Sequence, residues 1–267
     1  MSIRSKSLAL CCTLAALALP ALPVRADQAR DIDWSADVPA GTTLAISAIN
    51  GSIVADGAPG SRASLRLHVT SGSNDVAAVR LKVKQSPGRI AICADTPQET
   101  FSDDCSSSHT TSFVDFGGGI RIEYAVHVPR GVNLQAKTVN GRIDAENLAS
   151  DVDAKTVNGR ITIATTGVAR AKAVNGRIEV RIGESAWRGE LDFKTVNGTI
   201  AVHLPRNASF SVHASAVVGW IDAGAFKLAA ESHFIGQTLD GTVGSNPDGR
   251  ALRLSCVNCK ISLLADS

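Results

Sequence analysis

The chain has 267 residues and a net charge of +2, from 27 Lys and Arg against 25 Asp and Glu, and only 4% of it is aromatic. A charge this close to neutral supplies no bulk field for nucleic acid, which is not expected as a partner. Few aromatics and a single Met, with abundant Gly, Ala, Val, Thr and Ser, describe thin, turn-rich β structure rather than a large globular core.

Residues 1–26 read as a secretory signal. Arg4 and Lys6 precede an apolar run over residues 8–19 that Pro20 breaks, and Val24-Arg25-Ala26 offers small residues for cleavage before Asp27. The run is too short to span a bilayer, and no second apolar span follows, so an exported chain of the periplasm or cell surface without a transmembrane segment is expected. Cys11 and Cys12 leave with the signal. Of the three pairings open to Cys93, Cys105, Cys256 and Cys259, the two local disulfides are preferred. The rival for Cys256-Val257-Asn258-Cys259, a redox pair or half a zinc site, lacks the helix N-terminus that lowers a thiol pKa.

Residues 27–130 read as an antiparallel β segment. Leu65, Leu67 and Val69 alternate with polar residues, as do Val79, Leu81 and Val83, and Ile120, Ile122, Tyr124, Val126 and Val128. Between them, residues 95–119 form a polar, mobile loop tied by Cys105.

Residues 131–267 are dominated by one phrase, Thr-Val-Asn-Gly-Arg-Ile. It stands at 138–143, 156–161, 173–178 and 195–200, weakens at 216–221, 238–243 and 256–261, and has a solitary early copy at 48–53. The glycine slot advances by 18, 17, 22, 21, 22 and 18 residues, ending on Cys259. A repeat of this length is a supersecondary unit that stacks on its neighbours. The structural turns are Asn140-Gly141, Asn158-Gly159, Asn175-Gly176 and Asn197-Gly198. Asn-Gly between alternating strands would suit hairpins. Identical residues at identical offsets instead favour an all-β, β-helix-like solenoid of about seven coils, with Asn ladders, and with Thr138, Thr156 and Thr195 in one column and Ile143, Ile161, Ile178 and Ile200 in another. The last copy, with its two cysteines, is expected to cap the array. Only residues 226–234 offer a helix candidate, and a short one.

These units resemble the bacterial putative-adhesin family of exported repeat proteins, as do Val128-Pro129-Arg130-Gly131-Val132, Leu204-Pro205-Arg206-Asn207-Ala208 and Leu239-Asp240-Gly241-Thr242-Val243-Gly244. The likeness spans residues 44–264. It implies a solenoid-like β fold, a cell-envelope location and no catalytic residues; the family has no established function, so its label carries none here. Cys256 and Cys259 depart from its pattern.

Candidate ligand-binding residues fall in two outward files, Lys137, Lys155, Lys172 and Lys194, and Arg142, Arg160 and Arg177. Strand charges usually face water and are screened by neighbours such as Asp144, Asp151, Asp153 and Glu179. Set in columns, they would also make a track for an anionic polysaccharide. Trp220 replaces Arg at the outward slot and could stack on a sugar, although the insertion over 224–236, with Phe226 and Phe234, is expected to fold over it. No His-x-His or Glu-x-x-His spacing points to a metal, no cofactor motif occurs, and the acidic residues Asp95, Asp103 and Asp104 lack a calcium-loop template. No Gly-x-Ser-x-Gly elbow appears. The expected role is a non-catalytic, adhesin-like envelope scaffold. A periplasmic structural or sensory protein engaging another envelope protein is the second reading, and a glycan-active enzyme the third.

Overall fold

The computed structural model describes residues 28–71, 76–97, 99–106, 108–110, 119–184, 187–245, 247 and 249–266; the segment read as a signal lies outside them. Nineteen strands run in chain order: β1 (Gln28–Asp37), β2 (Thr43–Ser47), β3 (Gly51–Ala58), β4 (Arg62–Ser71), β5 (Arg80–Ser86), β6 (Arg89–Asp95), β7 (Glu99–Phe101), β8 (Ser108–Thr110), β9 (Arg121–Pro129) and β10 (Asn133–Asn140), then β11 (Ile143–Leu148), β12 (Val152–Asn158), β13 (Ile161–Thr165), β14 (Ala169–Ile182), β15 (Glu190–Pro205), β16 (Phe210–Asp222), β17 (Glu231–Ser232), β18 (Gln237–Val243) and β19 (Ala251–Asp266). Among the described residues, all but β7 and β8 join one 17-stranded mixed sheet that curves nearly closed around an axis. The helix candidate over 226–234 forms no helix: a 3-10 turn at Gly224–Phe226 leads into it and β17 lies within it. No helix among the described residues is long and apolar enough to cross a membrane.

The Asn-Gly pairs do not close hairpins. In β14, β15 and β19 the strand runs straight through the slot, and the units pair parallel and in register. Each unit bends there, passing from a first ladder to a second. The first ladder runs β6–β2–β10–β12–β14–β15–β19–β16, and the second runs β9–β3–β11–β13–β14–β15–β19–β16. Antiparallel strands finish the ends: β5 on β6, β4 and β1 beyond β9, and β18 on β16.

Alternation decides what is buried. Ile53, Ile143, Ile161, Ile178, Ile200 and Ile261 form one fully buried column, in which each side chain contributes about 1.5–3 kcal/mol by leaving water. Thr138, Thr156 and Thr195 are buried in a second, with Ala173, Cys256 and Ala216. The Thr hydroxyls find acceptors inward: Thr138 donates to the Gly51 carbonyl at 2.9 Å and Thr156 to that of Gly141 at 3.3 Å.

Four expectations need correction. The early copy is not solitary: β2 and β3 lie in register against β10 and β11, and Asn50 bridges Asn140. Residues 27–130 are only partly antiparallel, because β6 and β9 run parallel to β2 and β3. The polar loop contains a small hairpin, β7 on β8. The last copy is no cap: β19 lies between β15 and β16, with Thr195, Cys256 and Ala216 in one row. In-register repeats fix how any two units pair and leave their order open.

Candidate functional site

The bend is built by three recurring groups. An amide ladder runs along it: Asn140, Asn158, Asn175 and Asn197 each donate Nδ2 to the Oδ1 of the Asn in the adjacent unit, starting at Asn50, each at 2.9 Å. Asn50 has no Asn beyond it and donates instead to the Glu99 carboxylate on β7. Burial pushes that carboxyl up from its ordinary value, and the Asn50 amide pulls it part of the way back. The glycines allow the units to touch. A Cβ at Gly159 would stand 1.9 Å from the Gly141 carbonyl oxygen, and one at Gly198 would stand 1.8 Å from that of Gly176. Cys259 fills this slot without the positive φ of Gly159, Gly198 and Gly219, and its side chain is buried and bonded to Cys256. The other bond is Cys93–Cys105, with Cα atoms 5.7 Å apart.

Outside the first ladder, Lys137, Lys155, Lys172 and Lys194 lie in register in adjacent strands, about 4.8 Å apart. Two are countered within their own strand: Lys155 by Asp153 at 3.1 Å and Lys194 by Asp192 at 3.2 Å. Among the described residues Lys137 and Lys172 make no ion pair. The arginine file lies past the bend, at the head of the second ladder. Arg142 is held by Asp144 at 2.9 Å and by Glu123 at 3.7 Å. Arg160 lines a shallow groove of about 500 Å³ with Asp56, Asp144, Glu146 and Glu179. Arg177 pairs in register with Thr199, and the file continues through Lys260 to Trp220. The two files therefore occupy different sides of the bend, and the arginine side is the acidic one.

Between the files runs a column that sequence reasoning missed. Val157, Val174 and Val196 are each 39% exposed, and Val257 and Val217 are more so. The signal was present. Thr at the preceding position gives way to Ala and Cys, small residues suited to the interior, so alternation puts each Val outside. At the β2 end this surface is covered. Phe101 and Cys105 pack with Ala45, Ile49, Ala91 and Cys93, and Val139 lies against that cluster.

Trp220 is not folded under. It is 56% exposed, with the Lys260 ammonium 5.7 Å from its ring centroid. The insertion turns inward instead, where Phe226 packs edge-on to Phe210 at 5.4 Å.

A second groove, of about 350 Å³, holds Glu190, His213, Asp240 and Arg253. Asp240 is bonded to His213 Nδ1 at 2.6 Å, and Glu190 to Arg253 at 3.2 and 3.4 Å, so both carboxylates are already engaged. Among the described residues no group of three or more His, Cys, Asp or Glu is placed to hold a metal ion.

In structure the chain is similar to a putative cell adhesion protein from Clostridium sporogenes, at 10% identity and a TM-score of 0.40, covering 89% of this chain and 100% of that one. It is also similar to a putative adhesin from Bacteroides fragilis, at 14% identity and a TM-score of 0.25, covering 88% of this chain and 97% of that one. No protein-family model and no curated protein matches it.

Proposed function

We propose that this chain is an exported β-solenoid scaffold, adhesin-like and non-catalytic, that binds a linear anionic polysaccharide along its first ladder. The lysine column carries the reading. Its members stand in a straight file beside an apolar Val column and an amide ladder, a surface with cation, sugar-face and hydroxyl partners in parallel lines. The ion pairs within the strands narrow the binding contribution to Lys137 and Lys172, two units apart. The arginine file, among acidic neighbours, has a structural role in this reading. Two disulfides favour an oxidising compartment, hence the periplasm or cell surface.

Binding to a panel of acidic and neutral glycans at two salt concentrations tests this. Salt-sensitive affinity for an acidic member is expected, weakened several-fold by Lys137→Gln/Lys172→Gln and less by Lys155→Gln/Lys194→Gln. A double variant that binds every acidic glycan as the parent does would end the proposal.

A further inference from the structure

Large apolar side chains exposed to water are few here, and they are not scattered. Of the ten among the described residues, all but Leu264 belong either to the Val column or to the patch at its far end. Single exposed apolar residues need no explanation, but a contiguous set does. The patch comprises Val217, Val218, Trp220, Phe234 and Ile235.

Its geometry is that of a firm, protruding tip. Phe234 and Ile235 sit at the turn between β17 and β18, where the backbone N–H of His233 donates to the Gly236 carbonyl at 3.0 Å. His233 Nε2 lies 2.7 Å from the Thr238 hydroxyl, and Gln237 donates Nε2 to the Ser232 hydroxyl at 3.1 Å. Gly236 abuts the β16 backbone so closely that a Cβ there would stand 2.2 Å from the Ala216 carbonyl oxygen. The turn is thus pinned beside Val217, yet it presents Phe234 at 104% exposure and Ile235 at 68%. A protein that needed only to close this turn would place polar residues there.

Charge distinguishes the possible occupants. The Val column shares the outward side of the first ladder with the lysine file and runs to Val217 at the tip, while Trp220 stands just past the bend with Lys260 against it. Lys227 is exposed in the same insertion, and Asp222, Glu231 and Asp240 are the acidic residues of β16, β17 and β18 on this side of the chain. The acidic groove faces away, beyond the bend. A second copy of the same chain would have to receive the tip in an apolar hollow, and both grooves described above are lined by charged side chains. An acidic lipid surface has the opposite charge, needs no complementary pocket, and accepts convex aromatic and aliphatic side chains at its headgroup layer.

We propose that the β17–β18 turn, with Trp220, Val217 and Val218, is a docking tip that inserts shallowly into an anionic bilayer, the lysine file lying over its headgroups. This does not depend on glycan binding. The full mature chain is sedimented with vesicles of phosphatidylcholine alone or mixed with phosphatidylglycerol. Sedimentation with the mixed vesicles only is expected, falling at least tenfold in Phe234→Ser/Ile235→Ser. That variant should keep its thermal midpoint and its glycan affinity, since both side chains lie outside the core. In the parent, Trp220 emission should be quenched by brominated lipid, against a Trp220→Phe control that leaves the half-buried Trp34 and the buried Trp187. Absence from the mixed vesicles, equal sedimentation of the double variant, or loss by that variant of binding to an acidic glycan or a protein rather than to lipid would each overturn the assignment.

Discussion

Replacing Gly159 by Ala tests the close contact on which the stack is built. The new Cβ would lie 1.9 Å from the Gly141 carbonyl oxygen and 2.7 Å from its carbon. A comfortable carbon-to-oxygen contact is about 3.3 Å or more. The two units would therefore have to part by more than about 1 Å at a spacing of about 4.8 Å. Three hydrogen bonds join them here: Gly141 N–H to the Asn158 carbonyl at 3.0 Å, Ile143 N–H to the Arg160 carbonyl at 2.9 Å, and the Asn158-to-Asn140 amide bond at 2.9 Å. Each contributes about 1 kcal/mol, and overpacking costs about 1–3 kcal/mol. Losing two or three bonds as well gives a destabilisation of about 3–6 kcal/mol, a large share of the roughly 5–15 kcal/mol typical of a folded domain. Gly183→Ala is the matched control, because its Cβ would meet nothing nearer than the Thr166 methyl at 3.5 Å. Urea unfolding of both variants provides the measurement. If Gly159→Ala costs no more than Gly183→Ala, the units do not approach as described and the explanation for the recurring glycine is wrong.

Two further changes probe the start of the amide ladder and the interior of the stack. Glu99 has a raised folded-state pKa, so its contribution to stability is complete below the unfolded carboxyl value and is lost as pH rises through the folded one. Glu99→Gln keeps an acceptor for Asn50 without the buried charge; it should stabilise the protein at neutral pH and flatten the fall in unfolding midpoint above the carboxyl range, and a variant less stable than the parent at pH 7 would contradict this. Cys256→Thr/Cys259→Gly restores the repeat phrase while removing a short cross-link, with an expected loss of about 2 kcal/mol, an unchanged circular dichroism spectrum, and a diminished effect of reductant on the urea midpoint.

The repeat phrase made the interior of each unit legible. The buried Ile and Thr columns and the amide ladder followed from residue types and their offsets, because parallel in-register pairing sets like against like, and the two disulfides followed from the local spacing of an even set of cysteines. Three things did not follow. The position of β19 depends on which two sheet edges meet, and its sequence matches the edges of several units equally well. The exposed Val column was hidden by the habit of assigning β-branched residues to the core, although the Thr-to-Ala and Thr-to-Cys exchanges one residue earlier mark the true inward position. The fate of Trp220 turned on the insertion over 224–236, where Phe226 reaches Phe210 and leaves Phe234 outside. The lysine file and its screening by Asp153 were visible in sequence, whereas Asp192, which likewise precedes its lysine by two residues on the same face, was not singled out.

The placement of the last strand has a consequence for biogenesis. β15 and β16 are consecutive in the chain, and β19 lies between them along both halves of the bend. Until residues 251–266 have been delivered, the two earlier strands present edges of matching pattern to one another, and nothing in their own side chains forbids a premature embrace. The final stretch must then arrive before they meet, or prise them apart. A nascent chain held back short of residue 251 would lack the strand that separates β15 from β16, so the timing of its synthesis decides whether the wall closes correctly.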